Sequence, residues 1–216
     1  MKNLTIDSKL LFAQNAITNA INSEEIKSAI ANYGYDDARL KEGEALYRKA
    51  LELQTIQVKE YGEQYTATDA LYLTKAVANK TYMEHLKIAR IVLNDQRGTG
   101  ASLHLTGQRK ETFSGWLKQA RTFYANALGS SEVTTAIGRF GITREKLEAG
   151  QQLVNEVEKK MNSQLKEIGD AQNSTQKRDE AFEELQDWMS DFIAISRIAL
   201  DGKSQFLEVL GVVEPS

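Results

Sequence analysis

Set against itself at an offset of 107 residues, the chain matches along most of its length without a gap. Identical pairs include Thr5/Thr112, Leu10/Leu117, Asn19/Asn126, Ser23/Ser130, Ile30/Ile137, Gly34/Gly141, Gly43/Gly150, Gln57/Gln164, Glu60/Glu167, Gly62/Gly169, Thr68/Thr175, Arg90/Arg197 and Leu93/Leu200. Near matches such as Tyr33/Phe140 and Arg39/Lys146 keep size or charge. Helices of similar composition match by chance, but chance does not align glycines and capping residues in one ungapped register. The pattern reads as a tandem duplication, residues 1–107 followed by 108–216. Two copies of so long a period do not make a solenoid, whose repeats are several-fold shorter. A fused pseudo-dimer about a pseudo-twofold axis is the expected architecture, because twofold dimers are the commonest closed oligomers. Whether the copies keep separate cores or share one is open at this level.

Apolar spacing and punctuation define the same four helices in each copy. The first spans about Thr5 to Ile21, with its equivalent from about Thr112 to Leu128. A short second helix is capped by Ser23 or Ser130 and stops at Gly34 or Gly141, where glycine tolerates the left-handed conformation. Asp36 or Thr143 opens a third helix reaching Gly62 or Gly169, and Thr68 or Thr175 caps a fourth ending near Asn94 or Asp201. The last two, about 28 residues or ~42 Å each, are expected to form an antiparallel hairpin. One proline, 41% apolar and 26% charged residues suit such an all-α bundle. Phe182, Leu185, Met189, Phe192, Ser196 and Ala199 form one bundle-facing stripe. With Trp188, Ile193, Ile195, Ile198 and Leu200 added, that segment is apolar nearly all round, as is its echo at Leu86, Ile88, Ile91 and Leu93. These two segments are the candidates for contact between the copies.

Composition removes several functions. A net charge of −3, with neither half basic, gives no electrostatic footprint for nucleic acid. Cysteine is absent, so disulfides, thiol chemistry and thiolate metal sites are excluded. No apolar run reaches the ~20 residues that span a bilayer, and no signal-type segment opens the chain, so no membrane association and a cytoplasmic location are expected. The amphipathic N-terminal stretch through Leu10, Phe12 and Ile17 has a mid-chain counterpart around Trp116 and Phe123, which argues for packing rather than targeting.

Neither histidine sits in a catalytic or metal pattern. A di-iron bundle requires Glu-x-x-His, but Tyr82 precedes His85 and Ala101 precedes His104 at that spacing. His85 aligns with Phe192 on the stripe, so it reads as a core histidine with one hydrogen-bonded nitrogen. A hydrolase elbow Gly-x-Ser-x-Gly is missing. Gly202-Lys203-Ser204 lacks the distal glycine of a phosphate loop, Arg197 standing in its place. Gly98-Thr99-Gly100 reads as linker. No catalytic residue, metal ligand or cofactor is therefore expected.

Seven residues remain as binding candidates. Arg90 and Arg197 lie in matched Ile-x-Arg-Ile-x-Leu segments, either fixing helix register through carbonyls or carboxylates or together holding one anion near the pseudo-twofold axis. Gln57 and Gln164 fall where an apolar stripe should continue. Tyr61, Tyr65 and Tyr72 face Ile168, Gln172 and Asp179 in the second copy, which gives the first hairpin a tyrosine-rich tip, and tyrosine suits interfaces. The expected function is non-enzymatic, a helical protein that binds another protein or acts as a scaffold. A bundle binding a small molecule or anion between helices or repeats is the alternative.

Overall fold

The computed structural model describes residues 5–212; the outermost residues of the two sequence halves, 1–4 and 213–216, lie outside it. The described residues form eight helices and no strand: α1 Ile6–Asn22, α2 Glu24–Ala31, α3 Asp37–Val92, α4 Arg97–Ser102, α5 Phe113–Leu128, α6 Ser131–Gly138, α7 Arg144–Ala199 and α8 Ser204–Val209. Both ends of α2, α3 and α4 recur 107 residues later as the ends of α6, α7 and α8.

Local chemistry sets most of these boundaries. Thr5 and Thr112 accept the backbone N–H groups of Ser8 and Gly115 at the starts of α1 and α5, and Ser23 and Ser130 do the same for Ile26 and Val133. Each satisfies a donor that the first helical turn leaves orphaned. After α2 and α6 the chain reverses through Gly34 at φ +87° and Gly141 at φ +83°. The following N–H groups of Tyr35 and Ile142 close back onto the Ile30 and Ile137 carbonyls, the bond that ends helices at a left-handed residue. The N–H of Arg39 then bonds Asp36 Oδ1 at 2.9 Å to open α3.

The hairpin expected within each sequence half is not formed. Residues 37–92 make a single helix of 56 residues, as do 144–199. Gly62 and Gly169 lie inside these helices, and Thr68 and Thr175 are not caps: their hydroxyls donate to the Gln64 and Ala171 carbonyls four residues back. One glycine costs a helix interior only ~1 kcal/mol, so neither Gly62 nor Gly169 has to end a helix that packing supports on both sides of it. Each half thus contributes one long helix and three short ones, not two long and two short.

The chain gathers into two compact units. Unit 1 comprises the residues up to Tyr61 and those from Asp170 onward; unit 2 is Gly62–Gly169. In unit 1 the first part of α3 runs antiparallel to the second part of α7, with Gly43 against Trp188, Lys49 2.7 Å from Glu184, and Tyr61 meeting Thr175. In unit 2 the rest of α3 runs against the first part of α7, from Thr68 at Gln164 to His85 near Lys146. The antiparallel pairing therefore joins helices of different sequence halves. The two apolar segments singled out from the sequence take part: Phe182, Leu185, Trp188 and Phe192 pack with Leu10, Ile17 and Ile26 in unit 1, while Leu86 and Leu93 pack with Phe123 and Ile137 in unit 2.

The segment around Gly98, read as linker, forms the short helix α4, and the segment after Lys203 forms α8. Asn126 Nδ2 donates to the Ser102 carbonyl ending α4, and Asn19 Nδ2 to the Val209 carbonyl ending α8, each at 2.7 Å. Beyond those ends the backbone turns left-handed at His104 (φ +50°) and at Gly211 (φ +79°), positions also 107 apart.

Candidate functional site

Large apolar side chains on a helix surface are informative when they gather on one face. On α3 within unit 2, Tyr65, Tyr72, Leu73 and Val77 are 64%, 63%, 70% and 49% exposed, with Ala76 exposed among them. Seven residues fall about 20° short of two full turns, so Tyr65 and Tyr72 stand nearly in line, and Leu73, Ala76 and Val77 widen the stripe. Leu71, Ala78 and Tyr82 point the other way and are buried in the core. Asp69 and Lys80, both exposed, bound the middle of the stripe at three residues from Tyr72 and Val77.

The same stretch of α7, 107 residues on, reads Gln176, Asp179, Glu180, Glu183, Glu184 and Asp187, all exposed. Those charges are partly engaged locally: Asp179 with Arg178, Glu180 with Gln176 and Glu184 with Lys49. Where α3 presents Tyr72, Leu73, Ala76 and Val77, α7 thus presents Asp179, Glu180, Glu183 and Glu184. Beside the α3 stripe lies an open groove of about 410 Å³ bordered by Tyr72, Ala76, Asn79, Lys110 and Trp116. Its wall is fixed, because the Trp116 indole N–H donates to Asn79 Oδ1 at 2.8 Å and Lys75 Nζ lies over the Phe113 and Trp116 rings.

Of the residues nominated from sequence, Tyr65 and Tyr72 belong to this face. They do not sit at a hairpin tip, since no turn separates them. Tyr61 is half-buried in unit 1, where its hydroxyl lies 3.5 Å from Thr175 Oγ1. Arg90 Nε donates to the Leu105 carbonyl and so ties the end of α3 to the segment after α4; Arg197 is exposed in unit 1. Gln57 is half-buried in unit 1, and Gln164 Nε2 donates to Thr68 Oγ1 at 3.4 Å in unit 2. Leu73 and Val77 were not nominated. Their signal lay in the comparison that flagged the tyrosines, since their equivalents are Glu180 and Glu184.

A second polar group lies inside unit 2. His85 is buried and its Nδ1 stands 3.2 Å from the Tyr124 hydroxyl. Burial lowers the pKa of His85, against the attraction of Glu84 and with the repulsion of Lys146. Burial likewise pushes the Tyr124 phenol well above its ordinary range. Tyr82, also buried, accepts a bond from Arg109 Nη1 at 3.0 Å, and Arg109 Nη2 donates to the His104 carbonyl. These side chains have no opening to solvent through which a substrate could reach them: His85, Tyr82 and Tyr124 are 4%, 1% and 0% exposed. Their role is to satisfy one another and hold the segment after α4.

No helix among the described residues is long and apolar enough to cross a membrane. No protein-family model, curated protein or solved structure matches this chain.

Proposed function

We propose that this chain is a tandemly duplicated, non-enzymatic helical protein that binds another protein through the outward face of α3. The observation that carries the reading is the difference between equivalent surfaces: Tyr65, Tyr72, Leu73 and Val77 on α3 against Gln172, Asp179, Glu180 and Glu184 on α7. Solvation alone favours the charged version at exposed helix positions. An apolar stripe kept on one of two otherwise similar helices is accounted for by something that covers it. Rigid tyrosines flanked by aliphatic side chains are the composition of helix-in-groove and helix-on-helix contacts.

The test uses the equivalent residues of α7 as replacements. The variant Tyr65→Gln, Tyr72→Asp, Leu73→Glu changes only exposed positions, so helicity and thermal midpoint should move by no more than a few degrees. A photo-crosslinking residue at position 73 should give protein adducts in native extract that one at position 180 does not, and Tyr65→Gln with Tyr72→Asp should abolish them. Unfolding of the triple variant would make these side chains packing groups. Equal crosslinking from positions 73 and 180 would remove the face from consideration.

A further inference from the structure

We infer that the α3 face between Asp69 and Lys80 is a homotypic contact, at which two copies of this chain pair antiparallel about a twofold axis. The inference rests on reading that face as protein-binding and names its partner.

The argument comes from the order of residues along the face. It runs Asp69-x-x-Tyr72-Leu73-x-x-Ala76-Val77-x-x-Lys80, all six exposed. In the spacing of apolar and charged positions the pattern is the same read in either direction; in size and in charge it reverses. A twofold axis passing between Thr74 and Lys75 sets Tyr72 level with Val77 of the second copy, and Leu73 level with Ala76, so a large side chain meets a smaller one at each layer. The same operation sets Asp69 level with Lys80 of the second copy, twice. Asp69 and Lys80 lie eleven residues apart, about 20° past three whole turns, so both face the partner near the midline of the stripe. The same operation sets Tyr65 level with the exposed Glu84.

Parallel pairing of the same faces would put Asp69 against Asp69 and Lys80 against Lys80. Opposed signs at the two ends therefore select the antiparallel arrangement, as flanking charges do in helix pairs. Such an isologous contact closes on itself and stops at two copies. On α7 the equivalent positions hold five carboxylates, and two such faces repel. The α3 contact spans about three turns, ~17 Å at 1.5 Å per residue, which is small beside a standard interface. The dimer is accordingly weak and concentration-dependent.

Sedimentation of the full chain, from low micromolar to near-millimolar concentration, tests it. The wild type should show reversible monomer–dimer exchange. Asp69→Lys or Lys80→Asp alone sets like charges against each other and should weaken association about tenfold or more, with the circular dichroism spectrum unchanged. The double variant D69K/K80D should restore it. An equimolar mixture of the two single variants should likewise associate where neither does alone. Recovery in the double variant is what specifies the antiparallel register, because parallel pairing there would set two ammonium groups together at position 69 and two carboxylates together at position 80. A wild type monomeric throughout overturns the inference, as does a dimer indifferent to D69K or a double variant that stays weak. Crosslinking at position 73 separates this from the broader reading: a monomeric wild type that crosslinks to a different protein leaves the face a binding site with another occupant. A monomeric wild type with no adduct at position 73 sinks both.

Discussion

Unit 1 and unit 2 each bring a glycine of a long helix up against a large ring, and the rings come from different places. Gly43 of α3 lies under the Trp188 ring of α7, whereas Gly150 of α7 lies under the Tyr124 ring of α5. A Cβ on either glycine would fall inside the van der Waals envelope of its ring. At the reciprocal positions the side chains are small or aliphatic: Thr81 stands for Trp188 in unit 2, and Ile17 for Tyr124 in unit 1. The consequences run through both cores. In unit 1 Trp188 stacks on Phe192 with ring centres 5.0 Å apart, and Tyr35 meets both rings. Among the described residues the Trp188 indole nitrogen and Ser196 Oγ have no hydrogen-bond partner. In unit 2 the Phe192 position is His85, bonded to Tyr124. Each unit therefore fills the space at its glycine with a ring from a different element, and unit 2 buries a histidine at the position where unit 1 has Phe192.

The largest expected effect separates the units. Trp188→Ala removes a buried ring from unit 1 and should cost ~3–5 kcal/mol. Hydrogen exchange should then speed up in α1 and α2 more than in α5 and α6. Equal acceleration everywhere would break the comparison, since it would mean the units open only together.

A smaller effect tests the glycine itself. Gly43→Ala should destabilise by ~1–3 kcal/mol, the usual range for overpacking. In a background where Trp188 is already leucine, the same change should be nearly free. This non-additivity marks direct contact. Additive costs would show that Gly43 is needed for the backbone and not for the ring.

The smallest effect depends on pH. Burial lowers the pKa of His85, so below the unfolded value of about 6.5 the unfolded chain takes up a proton that the native state refuses. Stability of unit 2 is full above that pH and falls as pH drops through it. His85→Phe, the residue unit 1 has at this position, should remove that dependence between roughly pH 5 and 7. Combined with Tyr124→Phe, so that no buried hydroxyl is orphaned, it should change stability at neutral pH by under about 1 kcal/mol. A variant whose melting temperature still tracks pH as the wild type does would assign the titration elsewhere.

What the sequence determined was local. Thr5, Ser23, Thr112 and Ser130 start helices because their hydroxyls reach an N–H three residues on, and Gly34 and Gly141 end them because few residues adopt positive φ. The inward stripe from Phe182 to Ser196 and the core placement of His85 follow from period and alignment in the same way. The asymmetry at Tyr65 and Tyr72 was also legible, although Leu73 and Val77 passed unnoticed beside it. Partner choice was another matter. Gly62 and Thr68 fit a hairpin turn as well as a helix interior, since a glycine is only mildly unfavourable in a helix and a threonine can cap or bond back to its own carbonyls. Whether Phe182 and Trp188 pack on helices of their own half or of the other is invisible to periodicity, which fixes the face a helix buries and not the surface it meets. Tertiary packing settled both: α3 and α7 run on through the glycines, and each unit takes its core from both halves of the chain.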